Sequence, residues 1–167
     1  MNELTADLVE DYAPQTERPL GSYLVLAGTF TGLLGTLLVA AERSDRLPER
    51  VRITDVALLG VATYKLSRLV AKERVTSFLR APFTEFQESS GHGEVEEKPQ
   101  GHGLRLAVGE LLVCPYCLGL WVAGGFAAGM VVAPRSTRLV ASVFATKAVS
   151  DFLQLAYKAA EERSEPA

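Results

Sequence analysis

Between Ser22 and Ala41 the chain reads SYLVLAGTFTGLLGTLLVAA, with no charged side chain. At about 1.5 Å of rise per residue, twenty residues of helix cover about 30 Å, the hydrocarbon thickness of a bilayer. A helix on the surface of a soluble bundle keeps a polar stripe toward water. Here only Ser, Thr and Gly interrupt the apolar residues, so the stretch predicts a membrane span over 22–41. The residues before it are acidic and carry two prolines, unlike the short basic start of a secretory signal. They predict a mobile tail over 1–20 and no cleavage after Val39-Ala40-Ala41. The chain is 48% hydrophobic and 22% charged, which a soluble domain of this length can also show. The gathering of the apolar residues into blocks is what points to lipid. A formal net charge of -3 argues against nucleic acid as a partner.

The rest of the chain extends this pattern. Ile53 to about Val70 predicts a second, short span, with Asp55 at its positive dipole end and Lys65 and Arg68 placed to snorkel. Val75, Phe78, Leu79 and Phe83 recur at helical spacing with Arg74 and Arg80 among them. That predicts an interfacial amphipathic helix over 72–83, its arginines toward anionic lipid and Pro82 at its end. Residues 85–103 are rich in Gly, Glu and Ser and read as a flexible linker, with His92 and His102 each in a G-H-G. The thirty residues from Leu104 to Ala133 are too many for one upright span. Pro115 resolves the excess, because proline suits the first turn of a helix. The third span is predicted over 113–133, with the piece before it on the surface or joined at a kink. A fourth is predicted over 138–157, followed by a tail over 159–167.

The expected fold class is therefore all-α: one membrane domain over 21–158, an integral membrane helical bundle with about four transmembrane helices and a short interfacial amphipathic helix. An even number of spans puts both termini and the middle segment on one side. The Lys and Arg count favours the cytoplasm for that side of the cell membrane. Gly28 with Gly32, and Gly125 with Gly129, form G-x-x-x-G pairs that suit a homo-oligomer or another membrane protein. Lys147 and Asp151 lie one turn apart in the fourth span and must face protein or water, as a helix-gluing pair or a polar pathway.

Cys114-Pro115-Tyr116-Cys117 opens the third span and admits three readings. A helix N-terminus favours thiolate, which suits redox chemistry, but no alternating strand pattern supports a glutaredoxin fold. His92, His102, Cys114 and Cys117 form the ligand set of a structural zinc site, on a poorly preorganised linker. Small, soft cysteines also pack well where helices meet. The expectation is no cofactor, with zinc as the alternative.

Two motifs then stand together: ATYKLSRLVAKERVTSFLRAPF and, after the linker, GELLVCPYCLGLW. The pairing resembles the bacterial membrane family catalogued as domain-of-unknown-function family 1360, which includes sporulation-associated membrane proteins. Glu110, Leu111, Cys114, Pro115, Cys117, Gly119 and Trp121 carry the second motif; Tyr64, Arg68, Leu69, Arg80 and Pro82 carry the first. Lys65 stands where that family usually has arginine, and Glu73 where it has aspartate. Charge sign is kept, so a helix-linking ion pair survives while bidentate geometry at Lys65 does not. The resemblance covers about Asp55 to Lys158 and implies a multi-span membrane protein with no reaction attached. A carboxylate near a membrane face needs a partner, so Arg68 or Arg80 is expected to pair with Glu73 or Glu110. The functional expectation is a non-enzymatic membrane scaffold or interaction protein. The alternatives are a thiol-redox or zinc-binding protein and, more remotely, a small transporter or channel using Lys147 and Asp151.

Overall fold

The computed structural model describes residues 18–164. Most of the expected N-terminal tail and the last three residues of the C-terminal one lie outside the described residues. Helix α1 spans Leu20–Arg43 and starts directly after Pro19. A short charged loop leads to α2, Ile53–Lys72. Glu73 is extended; a 3-10 turn, Arg74–Thr76, and a single-turn helix α3, Ser77–Arg80, follow. Strands β1, Thr84–Ser90, and β2, Glu94–Pro99, come next. Helices α4, Gly103–Val113, α5, Pro115–Val132, and α6, Pro134–Ser164, complete the chain.

Three helices, α1, α5 and α6, are long and apolar enough to cross a membrane. Their sequences bury little inside the protein: in α1 only Ala41 is fully buried, and Leu24, Val25, Leu33, Leu38 and Val39 stay exposed. Helix α2 falls outside that group. Its twenty residues carry Asp55, Lys65, Arg68 and Lys72. It is instead the helix around which the others pack, most extensively α6 and α5. Ala62 of α2, Phe126 of α5 and Ala141 of α6 form the buried centre, with Leu58, Val122 and Phe144 against it. Alanines at these contacts let the backbones come close, which is how helices gain dispersion energy without large side chains. Helix α1 leans on α5, where Phe30 meets Trp121 edge to face with ring centroids 5.4 Å apart. Gly124 makes this approach feasible, since a Cβ there would lie 2.9 Å from the Phe30 ring. A Cβ at Gly28, Gly32 or Gly125 would meet nothing within 4 Å, so at three of the four G-x-x-x-G glycines no close approach among the described residues requires the missing side chain.

The structure corrects the all-α expectation in one region. Residues predicted as a flexible linker form an antiparallel β1–β2 hairpin, with Thr84 opposite Pro99 and Ser90 opposite Glu94. Its tip is a 3-10 turn at Gly91–Gly93, where His92 (φ 62) and Gly93 (φ 82) take left-handed backbone angles. Hydrophobic alternation did not announce these strands, because Phe86 and Val95 are their only large apolar residues. The predicted interfacial helix over 72–83 is also replaced. Glu73 leaves helical geometry and makes an antiparallel bridge to Glu94, so only single turns follow α2.

Helix α4 sits on the base of the hairpin. The Gln100 N–H donates to the Phe83 carbonyl at 2.9 Å, and Arg105 Nε donates to the Pro82 carbonyl at 2.9 Å. Gly109 is the contact point: a Cβ there would lie 2.6 Å from the Phe83 carbonyl oxygen and 3.2 Å from Pro99 Cβ. Backbone cannot yield as a side-chain tip can. Gly109→Ala is expected to cost about 1–3 kcal/mol, the usual range for overpacking, read as a lower thermal midpoint of the detergent-purified protein. Gly125→Ala, with nothing within 4 Å, is the control and should leave the midpoint unchanged or higher.

Candidate functional site

The charged residues at the hairpin end of the molecule are organised by two periodicities. Lys65, Arg68 and Lys72 are spaced three and four apart, so they share one face of α2. On β2, Glu94 and Glu96 point to one side, and Val95 and Glu97 to the other. The first side meets the α2 cations. Arg68 donates from Nε and Nη2 to the two carboxylate oxygens of Glu94, both at 2.8 Å, and Lys72 Nζ lies 2.7 Å from Glu96 Oε2. Lys65, almost fully buried, pairs with Glu73 and also with Asp151 Oδ2 of α6 at 2.8 Å. Asp151 in turn pairs with Lys147.

The second side of β2 faces the turn after α2. Arg80 is fully buried (0% exposed). Its Nε and Nη2 donate to Glu97 at 2.9 Å each, and its Nη1 donates to Thr76 Oγ1 at 2.9 Å and to the Val70 carbonyl. Nη2 also reaches Ser77 Oγ at 3.1 Å and the Glu73 carbonyl at 3.3 Å. Thr84 Oγ1 stands 2.7 Å from Glu97 Oε2. Val70 and Glu73 expose these carbonyls because α2 ends there, so one guanidinium caps the helix and clamps the hairpin together. Burial raises the Glu97 pKa, but the Arg80 and Thr84 hydrogen bonds outweigh it and hold the carboxyl below its ordinary range.

These partners differ from the expected ones. Arg68 pairs with Glu94 and Arg80 with Glu97, not with Glu73 or Glu110. Glu73 takes Lys65. Glu110 of α4 accepts from the Tyr23 hydroxyl of α1, with Arg18 3.5 Å away. The run E-V-E-E at 94–97 was the available signal: three carboxylates matching Arg68, Lys72 and Arg80 in number. A further pair went unanticipated at the opposite end. Arg138 of α6 donates from Nε and Nη2 to both oxygens of Asp55, at 2.8 and 2.9 Å. Both residues sit near the N-termini of their helices, so α2 and α6 are clasped at two levels.

The two cysteines are free. Cys114 is extended and joins α4 to α5 at a break; its sulfur accepts from the Cys117 N–H at 3.2 Å, in the manner of an N-cap. Pro115 occupies the first turn of α5. His92 is at the hairpin tip and His102 just beyond its base, separated by a β2 of six residues, about 20 Å. The eleven residues of α4, about 16 Å of helix, separate His102 from Cys114. The ligand set predicted from His92, His102, Cys114 and Cys117 is thus not assembled, and no group of three or more His, Cys, Asp or Glu among the described residues is placed to hold a metal ion.

Residues 58–157 match the family described as "Protein of unknown function (DUF1360)". The chain belongs to this family. Its match covers Lys65, Arg68 and Lys72 of α2, the hairpin, the Cys-Pro-Tyr-Cys break and the Lys147–Asp151 pair of α6 in one block. The chain is 28% identical over 102 residues to "Sporulation protein YjcA" of Bacillus subtilis (strain 168), covering 59% of this chain and 86% of that protein. It is 27% identical over 90 residues to "UPF0713 protein YngL" of the same organism, covering 52% of this chain and 65% of that one. No solved structure matches the chain.

Removing one partner of a buried ion pair strands the other. Arg80→Met is therefore expected to cost about 3–5 kcal/mol and to open the hairpin to limited proteolysis. Arg80→Met with Glu97→Leu should recover part of that loss. The pH dependence follows from the lowered Glu97 pKa. Its contribution is complete above the ordinary carboxylate range and is lost as pH falls through the lowered value. Thermal midpoints measured from neutral to acid pH should fall less steeply in Glu97→Gln than in the unmodified protein.

Proposed function

We propose that this DUF1360 member is a four-span membrane protein acting as a non-enzymatic scaffold or interaction protein, with α1, α2, α5 and α6 as spans. The observation that carries the reading is the use made of its charges. Arg68, Glu73, Arg80, Glu110, Lys147 and Asp151 each hold one element to another or lock a helix turn. Side chains bound in this way serve architecture; none is left poised against a substrate. Two pairs to α6 support α2 as the fourth span. Asp55 with Arg138 and Lys65 with Asp151 pair two of its charges with α6, and pairing is the condition under which ionisable groups are tolerated at membrane depth. The hairpin, α4 and the exposed Cys117 would lie on the side of the termini, read as cytoplasmic from the balance of Lys and Arg.

Two measurements test this. In intact cells, membrane-impermeant maleimide should leave Cys117 unlabelled, and should label it once the membrane is opened. Labelling from outside would reverse the orientation. A chromosomal Cys114→Ser/Cys117→Ser replacement should complement a deletion of the gene as well as the unmodified copy does. Loss of complementation with the protein still present in the membrane would favour the thiol alternative over the scaffold.

A further inference from the structure

Beside the charged collar lies a groove of about 1150 Å³, bounded by the end of α2, the hairpin tip and the C-terminal half of α6. Its walls change character along its length. Lys65, Arg68 and Lys147 are neutralised there by Glu73, Glu94 and Asp151. Among the described residues, Arg74 and Lys158, at the outer rim, form no ion pair; Arg74 Nη2 reaches Ser89 Oγ at 3.4 Å. One further carboxylate, Glu161, lines the groove, so its charge comes to one excess positive unit. At the inner end the groove shares Thr146 and Val149 with a second cavity of about 410 Å³. That cavity is walled otherwise by Ala57, Leu58, Val61 and Ala145, without a charged or amide side chain.

A basic rim continuous with an apolar slot fits an amphiphile. We infer that this groove binds one anionic phospholipid, its phosphate between Arg74 and Lys158 and one acyl chain in the slot between α2 and α6. The inference rests on the membrane-spanning reading above, which puts the rim at headgroup depth. From the level of Lys65 to Ala57 the slot runs about 12 Å along α2. An acyl chain lying there gains the contacts that the small residues at 57 and 145 leave unmade. Arg80 cannot share the headgroup, because its guanidinium is enclosed by Glu97 and by the end of α2. Of the two arginines predicted to face lipid, only Arg74 remains for that role.

The test uses the full chain in nanodiscs of palmitoyl-oleoyl phosphatidylcholine with a minor fraction of palmitoyl-oleoyl phosphatidylglycerol, read by native mass spectrometry after release into detergent. Phosphatidylglycerol should be retained at one molecule per chain in preference to phosphatidylcholine. Arg74→Gln with Lys158→Gln should weaken retention at least about tenfold, from the attraction each basic residue contributes near a membrane surface. Lys158→Arg should keep it. Val61→Trp, which fills the slot, should weaken both lipids alike. Soluble glycerol phosphate should not compete, since it lacks the chain. Equal retention of the two lipids, indifference to the double glutamine variant, or full competition by glycerol phosphate would each overturn the site. These failures leave the spans standing, whereas maleimide labelling of cysteines placed at 74 and 158 from opposite sides of the membrane would overturn the four-span reading itself.

Discussion

A guanidinium with no access to solvent has to find all its partners inside the protein, and the placement of Arg80 follows from that constraint. Its five N–H groups are met by Glu97, Thr76, Ser77 and the carbonyls that α2 leaves open at its last turn. Glu97 can reach it only from a strand running back past the end of α2, so the ion pair fixes where the hairpin lies. The hairpin in turn presents Glu94 and Glu96 to Arg68 and Lys72. The whole polar end of the molecule is in this sense arranged around one buried cation.

Helix α2 resolves what would otherwise be a conflict. Its apolar residues pack at the centre of the helices, yet its charges are too many for an unprotected lipid helix. Pairing to α6 at both levels, Asp55 to Arg138 and Lys65 to Asp151, neutralises two of those charges, and Glu94 and Glu96 of the hairpin neutralise Arg68 and Lys72. An unpaired charge in that setting would be expensive. The more apolar helices α1, α5 and α6 need no such device, and they bury little of themselves within the chain. The groove proposed to take a lipid belongs to the same arrangement: its apolar slot, lined by Ala57, Leu58, Val61, Ala145, Thr146 and Val149, lies between the two levels at which α2 is paired to α6.

The helices were legible because each reports its environment locally. Uninterrupted apolar runs and a proline at a helix start act within a few residues, and α1 and α5 follow them. The hairpin was not legible, because a strand is usually recognised by one apolar face, and this one is held by carboxylates meeting cations some 17 to 26 residues away. The same remoteness hid the partners of Arg68, Arg80 and Glu110. Charge type showed that partners were needed, not which ones. The zinc ligand set failed for a related reason: proximity in sequence across a supposed flexible segment became two ends of a stiff one once β2 formed.

By itself, the sequence determined that lipid-length apolar helices form, where Pro115 starts one of them, and that Lys147 and Asp151 lie one turn apart, since these depend on near neighbours and on helical geometry alone. Only the tertiary structure decided that residues 84–99 fold back as strands, that Arg80 turns inward rather than toward lipid, and that the cysteines close a helix break instead of meeting the histidines. The first two outcomes depend on which distant charges meet in a poorly solvating interior, the third on the stiff hairpin and α4 that hold the histidines away, and all three on how the whole chain packs.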